Sequence, residues 1–514
     1  LQAPGAAAPT DWRCRLGLAA LERAAGRPDA ARAQLEQALG VIEAQRAALP
    51  GDEFRTAFGS DKARAYDALV ELALQAHEAQ PSAASAAALW QAMERARARA
   101  LALGWSQGEA DAGPEAEALR TRLRWTREQL RLALADGDAA ALAGQGARVA
   151  ELEQALLEAH RRAQLAAPAA AEADAPPTLA ALQAELADDE AWVQYHLLGA
   201  RWVAAVVTRD GLQCRSGPAD GLADRIEALR FQLDALRGAA PSLQAHAAQL
   251  AERVRRHLAA LHAQLWAPLA DAVGGRGQVV VAPHRLLHYL PFAALHDGRG
   301  WLVERHTLSL APSAQVWRAA RRAPPLRRDR ALVLGVGGPQ LPQVAAEARV
   351  VAASLGAGAV LKLDEAATGA ALRAAAPEAD LLHLACHAQF RADSPYFSAL
   401  HLADGELTLR DCAALKLRAG LVTLSACETG LSRVAPGDEL VGLLRGFLLA
   451  GAPSVLASLW TVDDASTAAL MQDFYARLAG GAGPAAALRG AQCAAAASGR
   501  HPFYWAAFAL HGRA

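Results

Sequence analysis

The hydrophobic pattern divides the chain into two stretches with different periods. From residue 11 to about 165, apolar side chains recur at helical spacing. Leu18, Ala19, Gly26, Ala31, Leu35, Ala38 and Leu39 predict a helix, a tight turn at Gly26-Arg27-Pro28 and a second helix. Tyr66, Leu69, Val70, Ala73 and Leu74 mark a further amphipathic helix; Leu89, Trp90, Met93 and Ala96 mark another, ending near Gly104. Leu119, Leu123, Leu130 and Leu134 form one stripe, and Val149, Leu152 and Leu156 a second, broken at Asp136-Gly137-Asp138. These predict a long antiparallel helical hairpin that packs or spaces and carries no chemistry.

Past the Ala/Pro/acidic linker ending at Pro177, the pattern changes to short apolar runs between helical stretches. Residues 191–198 and 202–208 read as paired strands, closed by the Arg209-Asp210-Gly211 turn. A helical stretch follows over about 220–269. Further strands are expected at 278–282, 331–336, 359–363, 381–385, 421–425 and 454–459, with helices at 439–449 and 465–478. Strands alternating with helices predict an α/β domain with a mainly parallel sheet covered on both faces, preceded by an all-α region. The expected division is 1–10 as linker or disordered tract, 11–110 helical, 114–165 hairpin and 178–514 α/β.

Two of the apolar runs end in reactive residues. Leu381-Leu382-His383-Leu384-Ala385-Cys386 runs into His387, and Leu421-Val422-Thr423-Leu424-Ser425-Ala426 runs into Cys427. In an open α/β sheet the reactive crevice lies beyond the carboxyl ends of the strands. The two residues are 427 − 387 = 40 apart, enough for a crossover that returns the chain parallel to itself. Adjacent strands would set imidazole beside thiol, lowering the thiol pKa and supplying a proton shuttle. The backbone N–H groups of Ala388 and Cys427 are candidates for an oxyanion hole. The competing reading is a small buried Cys and a hydrogen-bonded core His. Zinc fits worse, because strand alternation sets His383 and His387 on one face and Cys386 on the other, with no second cluster to complete four ligands.

Composition narrows the field. The chain has 514 residues, 53% hydrophobic and 20% charged, with net charge −1, so neither a nucleic-acid nor an anionic-membrane footprint is expected. Six cysteines without C-x-x-C spacing argue against a disulfide framework and fit a reducing cytoplasm. Abundant Ala, and Arg in place of nearly all Lys, fit a GC-rich bacterial genome. The start at Leu1 rather than Met, after which comes a Gly/Pro/Ala tract, leads to the expectation of a piece of a longer chain.

The blocks around the two reactive residues carry a resemblance. Leu382-His383-Leu384-Ala385-Cys386-His387 followed by Leu424-Ser425-Ala426-Cys427-Glu428-Thr429-Gly430 resembles the CHAT domain, a caspase-like fold in the clan of caspases and separase. Residues 287–295 (Leu-His-Tyr-Leu-Pro-Phe-Ala-Ala-Leu), 437–443 (Gly-Asp-Glu-Leu-Val-Gly-Leu), 450–455, 459–464 (Leu-Trp-Thr-Val-Asp-Asp) and 501–508 resemble its other blocks in order, over about residues 180–514. The N-terminal helices resemble the tetratricopeptide region often fused to bacterial CHAT domains. The resemblance implies a cysteine endopeptidase with His387 as general base and acid and Cys427 as nucleophile, acting on protein substrates without metal or organic cofactor. It also implies a helical region able to bind a regulator or substrate. A non-catalytic scaffold is the alternative, and a small-molecule thiol hydrolase a third.

Ala388 departs from the Gly that the family often has after its histidine; Ala keeps the N–H, but its methyl group hinders φ > 0. By position Asp464, with Asp463 second, is the candidate for the base of a pocket for a basic P1 side chain. Either residue is equally suited to cap the following helix. Asp438 is expected to cap helix 439–449, Glu428 to line the cleft or hold its loop, and residues 431–437 to form a mobile loop that controls activity.

Overall fold

The computed structural model describes residues 11–49, 51–59, 61–97, 101–102, 104, 113–136, 138–166, 176–236, 247–338, 341–426, 433–435 and 438–514. Helices α1 (Asp11–Ala24) and α2 (Pro28–Ala47) form the first pair. Gly26 turns the chain between them at φ +72, and Pro28 stands at the first helical position, where no N–H is needed. Helices α4 (Ala63–Ala79) and α5 (Ala83–Arg95) form a second pair, with α3 (Gly51–Phe58) between the two. Ser82 and Ser85 close a reciprocal capping box at the start of α5.

The core of these helices does not stop at their own boundary. Leu35, Leu39, Ile42, Leu69, Val70, Trp90 and Met93 belong to one apolar cluster with Trp192, Val203, Ala205, Val207, Val280, Ala282 and Trp317. The latter lie on or beside strands β1 (Glu190–Leu198), β2 (Arg201–Thr208) and β4 (Gln278–Ala282). Alternate residues of the same strands, including Val193, Tyr195, Ala204, Val206 and Val281, enter a second cluster on the opposite face. The helical pairs therefore form one of the two layers covering the first half of the sheet. Each fully buried large apolar side chain there contributes about 1.5–3 kcal/mol.

Helices Gly113–Asp136 and Ala139–Ala166 pack as the predicted hairpin. Leu123, Leu152 and Leu156 share a small core with Phe397, and Arg391 pairs with Glu153 of the hairpin at 2.5 Å.

The remaining strands are β3 (Gly211–Pro218), β5 (Thr307–Leu310), β6 (Ala331–Gly335), β7 (Ala359–Leu363), β8 (Leu381–Gln389), β9 (Ala399–Leu402), β10 (Gly405–Thr408), β11 (Leu421–Ala426), β14 (Ser454–Ser458) and β15 (Phe508–Gly512). A separate ribbon pairs β12 (Arg433–Ala435) with β13 (Glu439–Val441). The large sheet runs β10-β9-β8-β11-β14-β15-β5-β4-β1-β2-β3, with β6 joining β8 to β7. The pairs β7-β6, β6-β8, β8-β11, β11-β14, β15-β5, β5-β4 and β4-β1 are parallel. The mainly parallel α/β sheet read from the sequence is thus the observed one.

The helical stretch 220–269 contains Leu222–Asp234 and Ala247–Leu261, the second passing into a π-turn at His262–Trp266, with residues 237–246 outside the described residues. Two expectations change. Helix 439–449 begins later, at Leu443, because Glu439–Val441 pairs as a strand. Within 431–437, residues Arg433–Ala435 are that strand's partner, while Leu431, Ser432, Pro436 and Gly437 lie outside the described residues. Strands β3, β5, β9, β10, β12, β13 and β15 escaped the pattern because most are short or half exposed, so alternation has little to act on. Among the described residues, no helix is long and apolar enough to cross a membrane.

Candidate functional site

The site is built on β8 and β11. Their parallel register pairs Leu421 with Leu381 and continues residue by residue to Ala426 with Cys386, a constant offset of 40. His387 follows immediately. It is half exposed, on the part of β8 that leaves the parallel sheet and pairs antiparallel with β9, opposite His401. Burial, and then the His387 imidazole, lower the His401 pKa, so His401 stays neutral beside it. Cys427 and Glu428 lie outside the described residues.

Strand alternation behaves as the sequence predicted. Leu382, Leu384 and Cys386 enter the apolar cluster that contains Cys412, Leu443 and Phe447. His383 points the opposite way, toward helices Val344–Leu355 and Asp464–Ala479. His383, Cys386 and His387 therefore do not converge. Among the described residues, no group of three or more His, Cys, Asp or Glu side chains is arranged to hold a metal ion.

Ala388 pairs with Leu400 in the extended part of β8 and is absent from the positive-φ residues. Its methyl group is therefore compatible with the backbone it adopts.

The two aspartates separate cleanly. Asp463 caps helix Asp464–Ala479, accepting from the Ser466 N–H at 2.9 Å. Asp464 faces elsewhere: its carboxylate accepts from the Gln343 N–H at 2.7 Å. Burial, helped by Glu347 and Asp463, holds its pKa above the usual carboxylate range, while His387 acts in the opposite direction. Asp464 thus shares its electrostatic neighbourhood with His387, and Asp463 has a structural task of its own.

The residue that the sequence undervalued is Asp438. It caps no helix; Gly442 precedes helix Leu443–Leu449. The residue is 2% exposed and its φ is +58. Asp438 Oδ1 accepts from the Arg285 N–H at 2.7 Å and lies 3.1 Å from His288 Nε2. Asp438 Oδ2 lies 3.4 Å from the guanidinium of Arg97, which follows α5. His288, His284 and Arg97 hold the Asp438 pKa far below the ordinary range despite burial, which alone would raise it. Arg285 also has positive φ, +52. Two non-glycine residues in the strained left-handed region are thus hydrogen-bonded to one another, each costing about 1–2 kcal/mol that the ionic contacts offset. The 287–295 block gave a partial signal, since His288 lies within it; nothing in the local pattern pointed to Arg97.

Residues 255–513 match the family model of the CHAT domain. Mouse tetratricopeptide repeat protein 28 is 27% identical over 323 residues, covering 50% of this chain and 13% of that protein; the human protein of the same name gives the same figures. The chain thus spans 13% of the length of these curated relatives. The Saccharomyces cerevisiae separase in complex with securin superposes with a TM-score of 0.51 at 10% identity, covering 94% of this chain and 37% of that one. That likeness concerns the fold, and it takes in the helices as well as the sheet. With half of its length matched by the family model and its helices packed onto a caspase-like α/β sheet, this chain belongs to the CHAT domain family.

Proposed function

We propose that this chain is a caspase-like cysteine endopeptidase acting through His387 and Cys427. One observation carries the proposal. The β8–β11 register runs at an offset of 40 as far as Cys386 and Ala426, and His387 and Cys427 are the next residue of each strand at the same offset. A parallel pair continued by one residue would bring imidazole and thiol level, on the face that carries His383 and Thr423.

In this mechanism His387 takes the Cys427 proton, and the thiolate sulfur attacks the scissile carbonyl carbon. The tetrahedral oxyanion is held by the backbone N–H groups of Ala388 and Cys427. His387 then delivers its proton to the leaving amine and a thioester remains. Water, deprotonated by His387, attacks the thioester carbon, releasing the acid and the Cys427 sulfur. Asp464, whose carboxylate feels the His387 charge, is the candidate partner for an Arg or Lys at P1. Asp463, which caps the helix, steadies the turn that presents Asp464. Regulation through the helical region is supported by the Arg97–Asp438 contact, which joins the end of α5 to the segment just before β13.

The test compares wild type with Cys427→Ala on a proteome, reading new N-termini by mass spectrometry. New termini in the wild-type sample alone, preceded by Arg or Lys, are the expected result. Identical termini in both samples would falsify the endopeptidase and leave the interaction scaffold.

A further inference from the structure

Four buried side chains form a line of polar contacts below the site, on the same sheet face as His387. His383 of β8 and Thr423 of β11 are register partners. Tyr475, on helix Asp464–Ala479, bridges them: its hydroxyl donates to Thr423 Oγ1 at 2.8 Å and lies 3.1 Å from His383 Nδ1. On the other side of the ring, His383 Nε2 meets Oε1 of Glu347, on helix Val344–Leu355, at 3.1 Å. His383, Glu347, Tyr475 and Thr423 are all buried.

The donor count is constrained. Burial raises the Tyr475 pKa, so the phenol keeps its proton. With that proton given to Thr423, the phenol oxygen accepts from His383 Nδ1–H. His383 Nε2 and Glu347 Oε1 approach to 3.1 Å, but neither atom has a hydrogen-bond partner among the described residues, so the hydrogen-bonded part of the line is Thr423, Tyr475 and His383. Buried hydrogen bonds of this kind fix one arrangement of the elements they join. The elements joined here are both site strands and helix Asp464–Ala479.

We propose that His383, Tyr475 and Thr423 are positioning residues for the His387–Cys427 pair, a proposal that rests on the dyad reading above. The brace fixes the shift of β8 against β11 about 13 Å upstream of His387. A strand slip of about 1 Å is enough to spoil nucleophile–base alignment.

The experiment uses the full chain and iodoacetamide, following alkylation of the Cys427 peptide by mass spectrometry from about pH 5 to pH 9. Wild type, Thr423→Ser, Thr423→Val, Tyr475→Phe and His387→Ala are compared, each with its thermal midpoint. Wild type and Thr423→Ser are expected to react well below the ordinary cysteine pKa of about 8.5. Thr423→Val and Tyr475→Phe, near-isosteric and folded, are expected to react about tenfold more slowly at low pH, with the profile shifted toward that of a free thiol. Profiles for Thr423→Val and Tyr475→Phe that overlay wild type overturn the brace while leaving the dyad standing. A wild-type profile already identical to His387→Ala removes the dyad, and the brace with it.

Discussion

His284 and His387 occupy comparable positions in the two halves of the sheet and have opposite fates. Each follows a strand of the parallel framework, His284 two residues beyond β4 and His387 one residue beyond the parallel part of β8. His284 is 3% exposed. Its Nδ1 accepts from the Leu197 N–H at 2.9 Å, and its ring stacks on His196 with centroids 4.0 Å apart. Burial and the adjacent His196 push its pKa well down, so it stays neutral and structural. His387 is half exposed, and its described neighbours are a neutral His401 and the Asp464 carboxylate. The difference lies in what covers the strand end. The N-terminal helices and the Asp438 junction close over β4, whereas the exit of β8 pairs with β9 and leaves His387 half exposed.

The largest expected contrast comes from removing each ring. His387→Ala should lower proteolysis about 10²- to 10⁴-fold with an unchanged unfolding midpoint. His284→Ala should do the reverse, losing about 2–4 kcal/mol in denaturant titration from an unpaired Leu197 N–H and a cavity. A stability loss for His387→Ala equal to that of His284→Ala would erase the distinction.

Asp438, which ties the two halves together, comes next. Asp438→Asn should cost about 3 kcal/mol, because Arg97 and His288 lose their buried counter-charge. The sign follows from linkage. The folded pKa is depressed, so the carboxylate's contribution is present above its unfolded value of about 3.9 and is lost as pH falls toward the folded value. Wild type should therefore destabilise more steeply than Asp438→Asn on acidification below about pH 4. Parallel acid-unfolding curves for the two would count against the junction.

The smallest effects separate Asp463 from Asp464. Asp464→Asn should reduce kcat/KM for substrates with Arg or Lys at P1 by about tenfold to a hundredfold, without altering Cys427 alkylation. Asp463→Ala should cost about 1 kcal/mol of stability through the lost cap and leave P1 preference intact. A P1 preference that moves with Asp463 and not with Asp464 would reverse these assignments.

Part of the candidate site was legible in the sequence. The runs at β8 and β11 are almost wholly apolar and bounded by polar turns, so they read as buried parallel strands whatever surrounds them. Alternation along β8 was enough to set Cys386 apart from His387, and the observed packing of Cys386 against Cys412 and Phe447 agrees. The Gly26 turn and the helix after Asp463 were equally local. Asp438 was misread for the same reason that these succeeded: an Asp before an apolar run looks like a cap, and its true partners are 341, 150 and 153 residues away.

The sequence by itself determined the periods of the two regions, the strand ends and the residue types at them, because these depend on side-chain spacing within one segment. Tertiary structure alone decided which histidine is closed in and which is half exposed, which aspartate caps its helix and which accepts from Gln343, and that Tyr475 joins His383 to Thr423. Each of those outcomes depends on desolvation and hydrogen bonding between segments that are distant in sequence, and no local pattern encodes which partner arrives.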